Sequence, residues 1–120
     1  MSNYVMAVVD DMFFASKIRA TAEGLGLTVR FARNVDAILE AARQELPSLV
    51  ICDLHSQKCD PFSIAAQLKS DAQLRAVPII GFFSHVQTQL QQRAQASGFD
   101  RVLPRSVFST RLPQILAGEF

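Results

Sequence analysis

The stretch that decides the fold is "SLVICDLHSQ", residues 48–57. Leu49, Val50, Ile51 and Cys52 run without interruption into Asp53, after which the chain turns polar. A short unbroken apolar run of this kind marks a strand covered on both faces, whereas a sheet with one wet face alternates apolar and polar residues. The run therefore asks for a parallel sheet, with Asp53 at the carboxyl end of one of its strands.

The pattern repeats outward in both directions. "YVMAVVD" (4–10) and "AVPIIGFF" (76–83) are further buried runs, "LTVRFA" (27–32) alternates like a strand, and "DRVLP" (100–104) is a short fifth one. Helical segments lie between them. "MFFASKIRATAEGLG" (12–26) has apolar spacing at Phe14, Ile18, Ala22 and Leu25, with Gly24 and Gly26 as stop signals. Asn34 is an N-cap for "VDAILEAARQEL" (35–46), which Pro47 ends, and Pro61 opens "PFSIAAQLKSDAQL" (61–74), where proline is tolerated. "TQLQQRAQA" (88–96) is closed by Gly98, and "FSTRLPQILAG" (108–118) is a weaker last helix interrupted by Pro113. Five strand–helix units in alternation predict an α/β fold: a single (βα)5, flavodoxin-like three-layer sandwich. Its parallel five-stranded sheet has the order 2-1-3-4-5.

At 120 residues the expectation is one domain over residues 1–120 with no output module. A net charge of +1 without a basic run speaks against nucleic-acid binding, and no apolar stretch is long enough to span a bilayer. The N-terminus lacks a signal-peptide layout, and Cys52 and Cys59 form neither a disulfide framework nor a CxxC pair. The expected location is cytoplasmic.

Ligands of an open parallel sheet bind outside the carboxyl ends of its strands, near the topological switch point. Asp10 and Asp11 follow the first strand and Asp53 ends the third, so these acids are expected to converge. Clustered carboxylates raise one another's pKa unless a cation sits among them, and a hard ion such as Mg²⁺ meets that need. The blander reading has Asp10 capping the first helix and Asp53 merely ending a strand.

With "VVDD" before a helix, "LGLTVRFARNVDAILEAARQELPSLVICDL", "VPIIGFFSH" and "ASGFDRVLPR" in this order and spacing, the chain resembles a response-regulator receiver domain of the CheY-like superfamily. The resemblance covers most of the length. It implies a phosphoprotein of two-component phosphorelay signal transduction: Asp53 as phosphoacceptor, with Asp10, Asp11, Asp53 and the backbone carbonyl of His55 holding Mg²⁺. Such a module is a signalling protein and not an enzyme in the ordinary sense. Its implied partners are a sensor histidine kinase or phosphotransfer protein upstream and an effector protein downstream, with neither nucleic acid nor membrane. The face made by the fourth helix, fifth strand and fifth helix is commonly a surface for a partner or homodimer in this family.

The chain departs from the family where the phosphoryl group is sensed. Phe83 stands in the place of the usual Thr or Ser, with Ser84 one residue later as a possible substitute. Arg105 replaces the usual lysine and would supply positive charge near the phosphoryl group; Ser106 replaces the following proline, removing the usual reason for a cis peptide. Val102 stands for the switching aromatic, and Gln57, Lys58 and Pro61 replace the usual Pro and two Gly of the loop after Asp53. The alternative function is therefore a phosphorylation-independent pseudo-receiver that acts as a protein–protein interaction module.

Other constellations are thinner. His55, Cys59 and His85 are expected on the same rim, as a mixed metal site or, more plainly, as exposed loop residues and an adventitious thiol. Cys52 reads as core, and Gly24-Leu25-Gly26 ends a helix instead of opening one, so it is no phosphate loop. Arg101, Arg105 and Arg111 form a basic edge, as a partner surface or a solvated face. The helix at 88–96 offers only Leu90 and Ala94 as an apolar stripe, which implies loose packing.

Overall fold

The computed structural model describes residues 3–84 and 88–120. Its elements alternate: β1 (Tyr4–Val8), α1 (Met12–Gly24), β2 (Thr28–Phe31), α2 (Val35–Gln44), β3 (Leu49–Asp53), α3 (Pro61–Ser70), β4 (Ile79–Phe83), α4 (Thr88–Ser97), β5 (Arg101–Pro104), α5 (Arg105–Thr110) and α6 (Leu112–Leu116). The sheet is parallel throughout, in the order β2-β1-β3-β4-β5. Every residue of β1, β3 and β4 is buried, as their unbroken apolar runs require, while the edge strands β2 and β5 are partly exposed.

Alternation along the central strands sends side chains to two cores. Met6, Val8, Val50, Cys52, Ile79 and Phe83 pack under α2, α3 and α4. Val5, Ala7, Ile51, Ile80 and Phe82 pack under α1, α5 and α6. The second core is aromatic at its centre: Phe82 stacks on Phe108 with ring centroids 4.7 Å apart, and Phe14 tilts against both at 5.0 and 5.9 Å.

Several local expectations need correction. Phe14, Ile18 and Ala22 are buried, but Leu25 is 44% exposed because the helix stops at Gly24 and Leu25 caps it. Helix α3 ends at Ser70, four residues short of the expected Leu74, because Asp71 turns extended and its carboxylate accepts from the Gln73 N–H and from Arg43. The last helix is two helices and begins at Arg105. Arg111 is the joint between them, and Pro113 lies in the first turn of α6, where its missing N–H costs nothing. Helix α4 packs as thinly as its sequence implies, with Ala94 as its buried residue.

Candidate functional site

Strand register sets the rim of the sheet. Val8 pairs with Cys52, Asp53 with Phe82, and Phe83 with Pro104, so the tips of β1, β3, β4 and β5 lie side by side. Asp53 is the only buried charged side chain among the described residues, at 8% exposure. One of its oxygens accepts the His55 N–H at 2.9 Å. Burial pushes the Asp53 carboxyl above the usual carboxylate range, and the Asp10 charge adds to that; the His55 N–H and the charges of His55 and Arg105 oppose it without prevailing.

The other two acids are engaged elsewhere. Asp10 accepts from the Ser56 hydroxyl and from the Gln57 N–H, both at 2.8 Å, which folds the loop after β3 back over the tip of β1. Partial burial works to raise the Asp10 pKa, but the donors Gln57, Ser56 and Lys58 together hold it below the usual range. Asp11, not Asp10, caps α1, accepting from the N–H groups of Phe13 at 2.9 Å and Phe14 at 3.3 Å. Its second oxygen accepts from Arg105 Nη2 at 2.9 Å, and that guanidinium, followed by the helix N–H groups, keeps the Asp11 carboxyl low. Arg105 in turn lies over the Phe14 ring, 4.2 Å from its centroid.

The sequence thus located the acids but not their bonds. Asp10, Asp11, Asp53 and His55 do share one rim. Yet among the described residues no three Asp, Glu, His or Cys side chains are gathered as a metal site would need. The expected convergence on Mg²⁺ is not met in this arrangement: Asp10 is satisfied by two neutral donors and Asp11 by a helix end and a guanidinium. As they stand, the side chains do not fit a divalent ion.

Phe83 is 3% exposed and belongs to the core under α3 and α4, while Ser84 follows the strand and is exposed. Among the described residues no hydroxyl donates to Asp53, so Ser84 does not fill the missing position here. Arg105 is the residue sequence reasoning named for positive charge, but it is bonded to Asp11 and not to Asp53. There is no cis peptide among the described residues, in keeping with Ser106 in place of proline.

Cys59 is not a rim thiol. It is 3% exposed, packed in the core with its sulfur 4.0 Å from the Ala32 carbonyl oxygen, so it leaves the His55 and Cys59 pairing without a shared opening. His85, the third member of that idea, lies outside the described residues. Cys52 is fully buried, as expected. Of the basic edge, Arg101 and Arg111 are exposed and Arg105 is drawn away to Asp11.

Sequence reasoning missed Ser56, and it named Gln57 only as a departure in the loop and Phe14 only as an apolar helix position, not as partners of Asp10 and Arg105. The run of polar residues after Asp53 was the available signal for the first two. Nothing local pointed from Phe14, near the start of the chain, to Arg105, near its end.

No family model matches the chain. In sequence it is similar to the polar-differentiation response regulator DivK of Brucella anthropi, 23% identical over 107 residues, covering 89% of this chain and 87% of that protein. In structure it is similar to the chemotaxis response regulator CheY4 of Vibrio cholerae, with a TM-score of 0.82 at 18% identity over the full length of both chains. It is also similar to the phosphorylated cyanobacterial phytochrome response regulator RcpA, with a TM-score of 0.78 at 20% identity over 98% of this chain and 91% of that one. The fold is that of a CheY-like receiver domain, and the relatives found by sequence are response regulators.

Proposed function

We propose that the chain is a receiver-type signalling module that accepts a phosphoryl group on Asp53 and passes its state on through protein contacts. One observation carries this reading: Asp53 is the buried carboxylate at the tip of the central strand β3, beside the tip of β1, where the strand order of the sheet reverses. A buried charge held at a strand tip is costly unless it is used.

The chemistry is nucleophilic attack by the Asp53 carboxylate on phosphorus. An Asp–O–P bond forms, and the donor's bond to phosphorus breaks with its electron pair leaving on the donor. With one oxygen tied to the His55 N–H, the carboxylate is oriented and its second oxygen is the attacking atom. Negative charge on both reactants has to be offset. Arg105, close enough to favour the Asp53 anion, contributes to this, and Lys58 adds positive charge beside Asp10. No step here is routed through a metal.

By this reading the upstream partner is a sensor histidine kinase or a phosphotransfer protein, and the downstream one an effector or a second copy. The face of α4, β5 and α5 is the proposed contact surface, and the cytoplasm is the proposed location. No helix among the described residues is long and apolar enough to cross a membrane. The test is an intact-mass spectrum after incubation with a small-molecule phosphodonor, with and without Mg²⁺, beside Asp53→Asn. A phosphate-sized gain that hydroxylamine removes and the variant lacks is expected. No gain from the folded chain, with either a small-molecule donor or a phosphorylated histidine kinase, would leave the interaction module as the better description.

A further inference from the structure

Three carboxylates on one rim need positive charge, and the fold supplies it from within the chain. Arg105 is the first residue of α5, directly after β5, and Pro104 pairs with Phe83 at the tip of β4. That register fixes the Arg105 backbone on the rim. Its side chain reaches across to the start of α1, where Nη2 meets Asp11 at 2.9 Å and the guanidinium plane covers the Phe14 ring at 4.2 Å. The pair is half-exposed, with side-chain exposures of 35% and 40%, yet both partners are held by more than the charge. Asp11 is fixed by the α1 N–H groups, and Arg105 is fixed by the aromatic face.

We propose that Arg105 is the built-in cation of this acidic rim, occupying Asp11 so that the site does not recruit a divalent ion in its ground state. A metal here would need Asp11 as a charged oxygen ligand, and a guanidinium 2.9 Å from that oxygen neutralises it and repels a second cation. Asp10 is turned to Ser56 and Gln57, and among the described residues it does not gather with two further acidic or imidazole side chains around one point. Opening the rim to an ion therefore requires Arg105 to leave Asp11 and Phe14 together. The inference concerns the resting arrangement and stands apart from whether Asp53 is phosphorylated.

Phe14 gives an arginine at this place a contact that a lysine would not match. A flat guanidinium can lie on the ring and donate in its own plane to Asp11 at once; an ammonium has no plane to stack. Arginine is thus a positioning residue for Asp11 here, acting by charge and by exclusion.

The experiment is a Mg²⁺ titration followed by thermal melting and by Mn²⁺-induced relaxation of the rim resonances, on the wild-type chain, Arg105→Gln and Arg105→Lys. Arg105 is on the surface, so both variants are expected to fold, and far-ultraviolet circular dichroism checks this. The wild type is expected to show a melting shift of less than about 1 °C at 10 mM Mg²⁺ and no local Mn²⁺ broadening. Arg105→Gln is expected to gain a saturable rise of several degrees and broadening centred on Asp11, since a ligand of the native state must stabilise it. Arg105→Lys should fall between the two. A wild type that binds as tightly as Arg105→Gln would overturn the proposal. So would a pair in which neither binds, because Arg105 would then not be what keeps the ion out. Failure of the phosphoacceptor reading shows instead in the mass spectrum of Asp53, which this titration does not touch.

Discussion

Gly81 offers a test that follows from geometry alone. It lies in the middle of β4, pairs with Cys52 on one side and Val102 on the other, and faces the core under α3 and α4. A Cβ built there would stand 2.9 Å from Leu54 Cδ2 and 3.1 Å from two ring carbons of Phe99. Ordinary carbon contacts lie at about 3.5–4.0 Å, so Leu54 and Phe99 would both have to move by roughly half an ångström. Both side chains are packed in the core, Leu54 4% and Phe99 7% exposed, so their neighbours must yield with them. Overpacking of a tight core costs about 1–3 kcal/mol, and the gain from replacing a strand glycine by alanine returns about 0.5–1 kcal/mol. Gly81→Ala is therefore expected to destabilise by about 1–2 kcal/mol, which for a chain of this size lowers Tm by roughly 3–8 °C. Urea unfolding followed by circular dichroism measures it. Leu54→Ala alone should cost about 2–5 kcal/mol, but the double variant should be less destabilised than the sum, by about 1 kcal/mol, because the new methyl fills part of the space Leu54 leaves. Gly81→Ala as stable as the parent, or strict additivity in the double variant, would mean that Leu54 and Phe99 do not close over Gly81. Leu54 follows Asp53 directly, so the same variant should also shift the amide resonance of Asp53.

Three further outcomes are expected. The Asp53 carboxyl is raised in the native state, so it contributes stability that is present at low pH and lost as pH rises from the unfolded value of about 3.9 through the folded one. Asp53→Asn lacks that component; its stability relative to the parent should grow over that window and then level off, and a difference independent of pH would sink the assignment. Ser56→Ala removes one of the two donors that fold the loop after β3 onto Asp10. A loss of about 1 kcal/mol and faster hydrogen exchange at the Gln57 amide are expected, with unchanged exchange counting against the clamp. Burial pushes both thiols up, and both are under 4% exposed. The native chain should resist a thiol reagent until it is unfolded in urea, whereas rapid labelling of Cys59 would mean that it reaches the surface after all.

The sheet was legible because its signal is local and repeated. Unbroken runs at Tyr4–Val8, Leu49–Asp53 and Ile79–Phe83 can be stable only between two layers, and the intervening helical spacings supply those layers. Asn34 capped α2 and Pro61 opened α3 where they were expected to, since a helix start depends on the two or three residues beside it. Errors arose where a boundary depended on a distant contact. Asp71 stops α3 partly through Arg43, 28 residues earlier, and Cys59 is drawn inward by the packing of the loop against Ala32. The same limit applies at the site. The identity of the acids could be read from strand ends, but whether they gather depends on partners that the sequence keeps far apart: Ser56 for Asp10 and Arg105 for Asp11.

The unusual residues at the rim are also not independent of one another. Arg105 opens α5, and a cation at a helix N-terminus is unfavourable because the unpaired N–H groups there are already positive. Asp11 sits at the opposite kind of place for its charge, at the N-terminus of α1, where an anion is favoured. Joining them offsets the misplaced arginine with a carboxylate that the first helix has already fixed. The Phe14 ring supports the joint, and Phe14 is held in turn by Phe82 and Phe108 in the core beneath it. A lysine at 105 would lose the ring, and a polar residue at 14 would lose both the ring and the core contact. The replacement at 105 and the aromatic at 14 therefore form one solution to the charge of the rim, in which packing under the sheet edge holds a cation over the acids.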